Sequence, residues 1–335
     1  MHVFLTGATG FVGHHVLRAL RRAGHTVRCL VRPGSIDKLP VDPNHVAYVD
    51  SSKAQIVAGE APAGTGTPEA KVEVVYGDVT DLASIEGDLA GCDAVIHLVG
   101  IIEENRPKGV TFERIHVRGT RTVVEQAKAA GVGRFVHMSA NGARPDAEAS
   151  RYHRTKHQAE EAVRAAGFER AVIFRPSIIF GDPGAERIEF ASRLADTLVR
   201  PFPVLPVLGD GEYELQPVHV DAVAEAFVQA LALEPPAEGE PVRTFCVGGP
   251  ERLSFNEVLD RIARGMGKEP KPKVHQPLWM AKALVGTLGE VGLLPITPAQ
   301  FQMLVEGNTC DDDAFDRAFD VEQTPFTPEH LGYLR

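Results

Sequence analysis

The run His2-Val-Phe-Leu-Thr-Gly7-Ala-Thr-Gly10-Phe-Val-Gly13 decides the fold. A β-rich stretch, His2 to Thr6, enters a glycine turn. A helix follows from Phe11 to Ala23, with apolar Val12, Val16, Leu17 and Leu20, and Gly24 stops it. In such a strand–turn–helix the first glycine permits the tight turn and the second lets the backbone approach a pyrophosphate. The third lets the helix pack closely on the strand. The helix N-terminus then offers unpaired N–H groups and a positive dipole end to phosphate. Thr9, Phe11 and Val12 complete the cradle around Gly7, Gly10 and Gly13.

Outward from this turn, strands and helices alternate. Strands are expected at Thr26–Val31, Val72–Tyr76, Ala94–Val99, Phe135–Met138 and Ala171–Phe174, with helices at Thr111–Ala130 and Tyr152–Ala166 between them. Each crossover is long enough for parallel pairing, so the fold class is α/β, a doubly wound parallel sheet of Rossmann type with a smaller C-terminal substrate lobe. The Rossmann domain is expected over 1–181, with a helix at 218–233 packing back on it. The lobe takes 182–217 and 234–335. The segment from Pro40 to Ala70, ending AGEAPAGTGTPEA, is weakly patterned and reads as a surface excursion.

Composition narrows the function classes. Of 335 residues, 44% are hydrophobic and 24% charged, as in ordinary globular chains, and the net charge of −10 opposes nucleic-acid binding. Arg18, Arg21 and Arg22 read as a solvated helix face. The four cysteines, Cys29, Cys92, Cys246 and Cys310, stand singly, without metal-site or redox-motif spacing, and are expected to be free thiols. No apolar run reaches membrane-spanning length and the first strand begins at residue 2, so the cytoplasm is the expected location. The apolar stretch from Pro277 to Leu294 reads as a helix facing its own core. A lid, a dimer contact or a membrane-surface helix is the sharper alternative, and Lys282 is its only cation.

The second strand ends Arg28-Cys-Leu-Val-Arg32-Pro-Gly, with no carboxylate before Asp37. An acidic residue there would meet a ribose 2′-hydroxyl, whereas Arg32 suits a 2′-phosphate. NADP(H) is therefore favoured over NAD(H). Asp78 is placed to meet the adenine amine beside Val79, or else to cap the next helix, for which Asp81 is the better candidate. Leu98, Val99 and Gly100 should lie beneath the adenosine ribose. Tyr152 and Lys156, four apart on a helix, share one face, and an ammonium there would lower the phenol pKa toward acid–base use. His14-His15 and Asp311-Asp312-Asp313 do not form a convincing metal site, and the acidic run reads as a helix start.

In order, TGATGFVG, GDVTD, HLVG, IHVRGT, Tyr152-xxx-Lys156, FRPSIIFG and PVHVDAVAEA resemble the extended short-chain dehydrogenase/reductase superfamily. The closer likeness is to its atypical branch, near the nucleotide-binding accessory subunit of respiratory complex I and its bacterial relatives. LPITPAQFQMLVEGN near the C-terminus is similar to that branch too. The resemblance implies an NAD(P)(H)-dependent oxidoreductase acting on a carbonyl or hydroxyl, with Tyr152 as acid/base and Lys156 binding the nicotinamide ribose. Pro176 and Ser177 would flank the carboxamide. It implies a small-molecule or quinone- or lipid-like ligand, a protein partner or homodimer, and peripheral membrane association. Two departures stand out. Ala140 occupies the usual serine or threonine position, with Ser139 and Asn141 as alternatives, and His116 replaces the usual helical asparagine. They leave open a catalytically weak dinucleotide-binding protein with a structural, sensing or respiratory role. A nucleotide-sugar epimerase is a third reading, disfavoured by Arg32 and Ala140.

Overall fold

The computed structural model describes residues 1–41, 46–50, 55–58, 71–184, 189–235, 242–277, 279, 302 and 308–335. The chain divides into two compact units. The first comprises Met1–Pro145, His153–Arg175 and Val223–Phe245, the second Asp146–Tyr152, Pro176–Ala222 and Cys246–Arg335. The chain passes from the first unit to the second after Arg175, and 223–245 belongs to the first.

The strands of the first unit are, in chain order, β1 (His2–Thr6), β2 (Thr26–Val31), β3 (Val46–Asp50), β4 (Gln55–Ala58), β5 (Val72–Tyr76), β6 (Ala94–His97), β7 (Arg134–Met138) and β8 (Arg170–Pro176). Together with Arg243–Val247, a strand far along the chain, they form a sheet in the order 243–247, β8, β7, β6, β1, β2, β5, β3, β4. All pairs from β3 through β5, β2, β1, β6 and β7 to β8 are parallel. Central strands covered on both faces need near-continuous apolar runs, and β6 is buried at all four positions. The chain leaves β1 toward β2 and later returns to β1's other side as β6, which makes the β1/β6 boundary the switch point of the sheet. Register pairs Thr6 with His97, His97 with His137, and Met138 with Phe174, so the residues after each strand emerge at one carboxyl edge.

Helix α1 (Phe11–Arg22) buries Val12, Val16, Leu17 and Leu20 as its periodicity requires. The expected helix from Thr111 is a π-turn over Glu113–Arg118 that runs into α2 (Gly119–Ala129). Helix α3 spans Arg151–Ala165. Three expectations are corrected. The 40–70 excursion is not wholly irregular: β3 and β4 pair antiparallel within it and extend the sheet edge, on a pattern too weak to read. The Arg243–Val247 strand adds to the far edge after a stretch whose alternation had lapsed. Cys246 and Cys310 are not free thiols but a disulfide, with Cα atoms 5.6 Å apart across 64 residues of sequence. Only Cys29 and Cys92 are free, and both are buried.

In the second unit β9 (Ile179–Phe180) pairs with β12 (Val218–His219), β10 (Leu205–Leu208) with β15 (Lys273–Gln276), and β11 (Glu214–Leu215) with β14 (Leu253–Ser254); β13 is the Arg243–Val247 strand already described. The short helix α4 (Phe190–Leu194) lies in this unit, α5 (Val220–Ala230) starts in it and runs from Val223 on in the first unit, and α6 (Phe255–Gly265) starts on a capping box between Ser254 and Glu257. Phe180, Leu205, Phe255, Leu259, Phe326 and Leu331 share its core. The acidic run opens a helix as expected, α7 (Ala314–Ala318), with Asp312 accepting from the Ala314 N–H. Apart from Pro277 and Trp279, the apolar 277–294 segment lies outside the described residues, as does 294–307 apart from Gln302.

Candidate functional site

The turn after β1 is built so that no side chain intrudes. Gly7 has φ +83°, a left-handed conformation that favours glycine. β1 leads directly into Gly7, whose carbonyl accepts the Gly10 N–H at 3.0 Å. A Cβ on Gly13 would lie 2.0 Å from the Gly7 oxygen, so α1 can approach β1 only with glycine at 13. Gly10 is the N-cap and, having no side chain, places no capping group over the first turn of α1. This is the cradle a pyrophosphate fits: bare backbone, oriented N–H groups and the positive end of a three-turn helix.

Around it lie the adenosine-side candidates. Arg32 is exposed just past β2 and makes no ion pair among the described residues. Asp78 uses Oδ1 to accept the Thr80 N–H at 2.8 Å, while Asp81 accepts from Ala83 and caps the next turn. Val79 is buried and packs closely on Gly119, where a Cβ would lie 3.0 Å from its side chain. Leu98 is buried after β6, and Gly100 is exposed with its backbone turned toward Lys156 and His116. A Cβ there would stand 3.6 Å from Lys156 Nζ and 3.7 Å from His116 Nε2.

The end of β7 is different in kind, because its donors are already engaged. Lys156 Nζ donates to the Met138 carbonyl at 2.6 Å. Ser139 donates its hydroxyl to Glu160 Oε1 at 2.5 Å. Arg175, from β8, grips the same fully buried carboxylate through two bonds of 2.7 and 2.6 Å, and Arg164 adds a third cationic contact at 3.3 Å. Ala140 is buried beside Ser139. His116 is a structural link: its Nδ1 meets Thr155 Oγ1 at 3.0 Å and its Nε2 meets the Ile101 backbone at 3.1 Å. Burial, and then the Lys156 charge, hold its imidazole neutral down to about pH 2.

The family model for the NAD dependent epimerase/dehydratase family matches residues 3–248. The chain belongs to that family. It is similar to the "Ceramide reductase" of Caulobacter vibrioides, 33% identical over 272 residues that cover 80% of this chain and 72% of that protein. It is also similar to the mitochondrial "NADH dehydrogenase [ubiquinone] 1 alpha subcomplex subunit 9" of Arabidopsis thaliana, 29% identical over 98% of this chain and 74% of that one. Among solved structures, gox2253 superposes with a TM-score of 0.69 at 22% identity, over 99% of this chain and 96% of the other. The shared fold is a Rossmann-type α/β fold with a parallel central sheet.

Within this epimerase/dehydratase chain, Tyr152 and Lys156 do lie on one helix, a turn apart. The expected lowering of the phenol by the ammonium is not what the environment does. Burial around the hydroxyl pushes Tyr152 up to about 12, and burial of Lys156 brings its amine down to about 8, with Glu160 opposing. In the second unit, Pro176 ends β8 and Ser177 donates its hydroxyl to the Gln216 carbonyl and its N–H to Val247 at 2.9 Å. The residue that reading by motif missed is Glu160. Its only local signal was an acid four positions beyond Lys156, on the same helix face.

Proposed function

We propose that the chain binds a nicotinamide dinucleotide at the Gly7–Gly13 turn, NADP(H) in preference to NAD(H), and works as an oxidoreductase on a carbonyl or hydroxyl carbon. The observation that carries this reading is the N-terminus of α1, which starts on a glycine N-cap after the left-handed Gly7 and packs on β1 through a Gly13 that a Cβ would disrupt. The nicotinamide, when bound, would supply or accept hydride. The residues of the chain do the rest. Arg32 pairs with the 2′-phosphate. Asp78 and Val79 border the adenine, and Leu98, Val99 and Gly100 support the ribose. Lys156, anchored on Met138, presents its remaining N–H groups to the nicotinamide ribose, and Pro176 and Ser177 border the carboxamide. Tyr152 exchanges the proton with substrate oxygen. With its phenol pushed up to about 12, it holds that proton at neutral pH, which suits an acid in the reductive direction. A lipid-like substrate finds support in the ceramide reductase relative. No helix among the described residues is long and apolar enough to cross a membrane. Our reading keeps the protein in the cytoplasm, with peripheral membrane contact to reach such a substrate.

Fluorescence titration with NADPH and NADH tests the cofactor reading. NADPH is expected to bind about tenfold tighter, one charge-assisted phosphate contact's worth, and tighter NADH would remove the argument from Arg32. A carbonyl panel run on Tyr152→Phe tests the chemistry. A loss of about 10²-fold or more in kcat is expected, and undiminished turnover would displace Tyr152 as the acid.

A second reading is favoured by one arrangement: the Ser139 hydroxyl donates a hydrogen bond to Glu160 while Ala140 fills the neighbouring position. The dinucleotide would then serve as a structural or sensing ligand and the chain would meet a protein partner, as its complex I subunit relative does. Tight NADPH binding with no turnover across the panel is the outcome that would favour it.

A further inference from the structure

Ser177 sits in a closed ring of contacts, all within the second unit. Its N–H donates to the Val247 carbonyl at 2.9 Å and its hydroxyl donates to the Gln216 carbonyl. Gln216 Oε1 accepts the Cys310 N–H at 2.8 Å. Cys310 is bonded through sulfur to Cys246, which precedes Val247 in the chain. The ring therefore runs from Ser177 through Gln216, Cys310, Cys246 and Val247 back to Ser177, and the disulfide is its cross-link. Gln216 is held from other sides too. Its N–H donates to Asn308 at 3.0 Å and its Nε2 to Gly249 at 2.7 Å, and a Cβ on Gly248 would come within 2.5 Å of its side chain. A shift of the 308–310 segment would thus reach Ser177 through one residue.

We propose that Cys246 and Cys310 form a thiol–disulfide switch that sets the position of Ser177 through Gln216, and with it the affinity for the nicotinamide half of the dinucleotide. The inference rests on the reading of Ser177 as a neighbour of the carboxamide. The reductant is a dithiol. One of its thiolates attacks Cys246 Sγ, the half-buried partner, and the buried Cys310 leaves as thiolate and takes a proton. The second thiol of the reductant then displaces Cys246 from the mixed disulfide, which also takes a proton. Two electrons and two protons pass to the protein, and the reductant becomes a cyclic disulfide. The remaining cysteines do not compete. Cys29 and Cys92 are buried, and burial pushes their thiols up to about 12 and about 11, so neither offers thiolate for exchange.

The test compares the full-length protein before and after treatment with dithiothreitol. Thiol titration after denaturation should find two thiols before and four after. NADPH should bind about fivefold more weakly to the reduced form, the scale of one lost hydrogen-bonded contact, while ADP, which carries the adenosine half alone, should bind both forms equally. Cys310→Ser and Cys246→Ser should bind NADPH like the reduced form and ignore dithiothreitol. Four thiols before treatment would overturn the proposal, as would equal NADPH affinity in the two forms. A joint loss of NADPH and ADP binding with collapse of the circular dichroism signal would also overturn it, since the disulfide would then only hold the fold. Ser177→Ala separates the premise from the switch. If it weakens NADPH while reduction does not, the switch fails. If reduction weakens NADPH and Ser177→Ala does not, the reading of Ser177 fails.

Discussion

The carboxyl edge of the first unit's sheet carries two groups of hydrogen-bond donors that differ in what they already hold. At the Gly7–Gly13 turn, α1 starts on Gly10, an N-cap with no side chain to lay over its first amides. At the end of β7, Lys156, Ser139 and Arg175 are bound to Met138 and Glu160. One group is shaped to receive a ligand, while the other mainly fixes the protein to itself. Holding a dinucleotide and using it therefore place separate demands on neighbouring parts of one edge. The sharpest way to break the comparison is Gly13→Ala. Its Cβ would meet the Gly7 oxygen at 2.0 Å, backbone that cannot swing aside. NADPH binding measured by fluorescence is expected to vanish, and the melting temperature to fall with it.

The second group can be broken at its anion. Glu160→Ala leaves Arg175 and Arg164 without their buried partner and Ser139 without its acceptor. Removing one side of such a buried pair costs about 3–5 kcal/mol, to be read from urea unfolding. Tight NADPH binding in whatever fraction stays folded would sharpen the contrast, because the cradle is a separate construction.

These two variants also mark what could be read before the fold was seen. Gly7, Gly10 and Gly13 lie within seven residues, and their backbone demands are written in residue type alone. Glu160, Ser139 and Arg175 come from a helix and two strands, so nothing in their spacing announces that they meet. The same holds for Cys246 and Cys310, which the fold brings together across 64 residues. The β3–β4 hairpin escaped for another reason: its flanks are polar and glycine-rich, and strand periodicity there is faint. Tyr152 and Lys156 were legible as a pair on one helix face. Their charge balance was not, because burial of each group dominates over the attraction between them.

Three histidines lie buried near Lys156, and they give the second group a pH limit. His97 bridges Thr6 and Thr120, and its ring stacks on His137 with centroids 5.4 Å apart. Burial lowers His97 to about 3 and His116 to about 2, and His137 falls well below its ordinary value for the same reason. The folded state keeps these imidazoles neutral while an unfolded chain protonates them below about pH 6.5. The contribution of these rings should thus be level between about pH 6.5 and 7.5 and fall as pH drops from 6.5 toward 3. The slope is about 1.4 kcal/mol per pH unit for each histidine. Urea midpoints at pH 7.5, 6.5 and 5.5 check it. A midpoint constant down to 5.5 would mean that the three rings are hydrated, and that the end of β7 is as open as the glycine turn.

The smallest expected effect is the most discriminating. Ser139→Ala removes one hydroxyl that donates to Glu160, and Glu160 keeps its bonds from Arg175 and Arg164. The stability cost should be about 1 kcal/mol, the value of one hydrogen bond whose acceptor stays otherwise satisfied. If Ser139 serves only to hold β7 against α3, kcat/KM should change by less than about threefold, whereas losing a donor to developing charge would cost about 10²-fold or more. A large loss in kcat at unchanged stability would show that the hydroxyl turns from Glu160 to substrate oxygen during turnover. The two donor groups would then differ only at rest, with Glu160 parking a catalytic hydroxyl and the α1 amides behind Gly10 needing no such restraint.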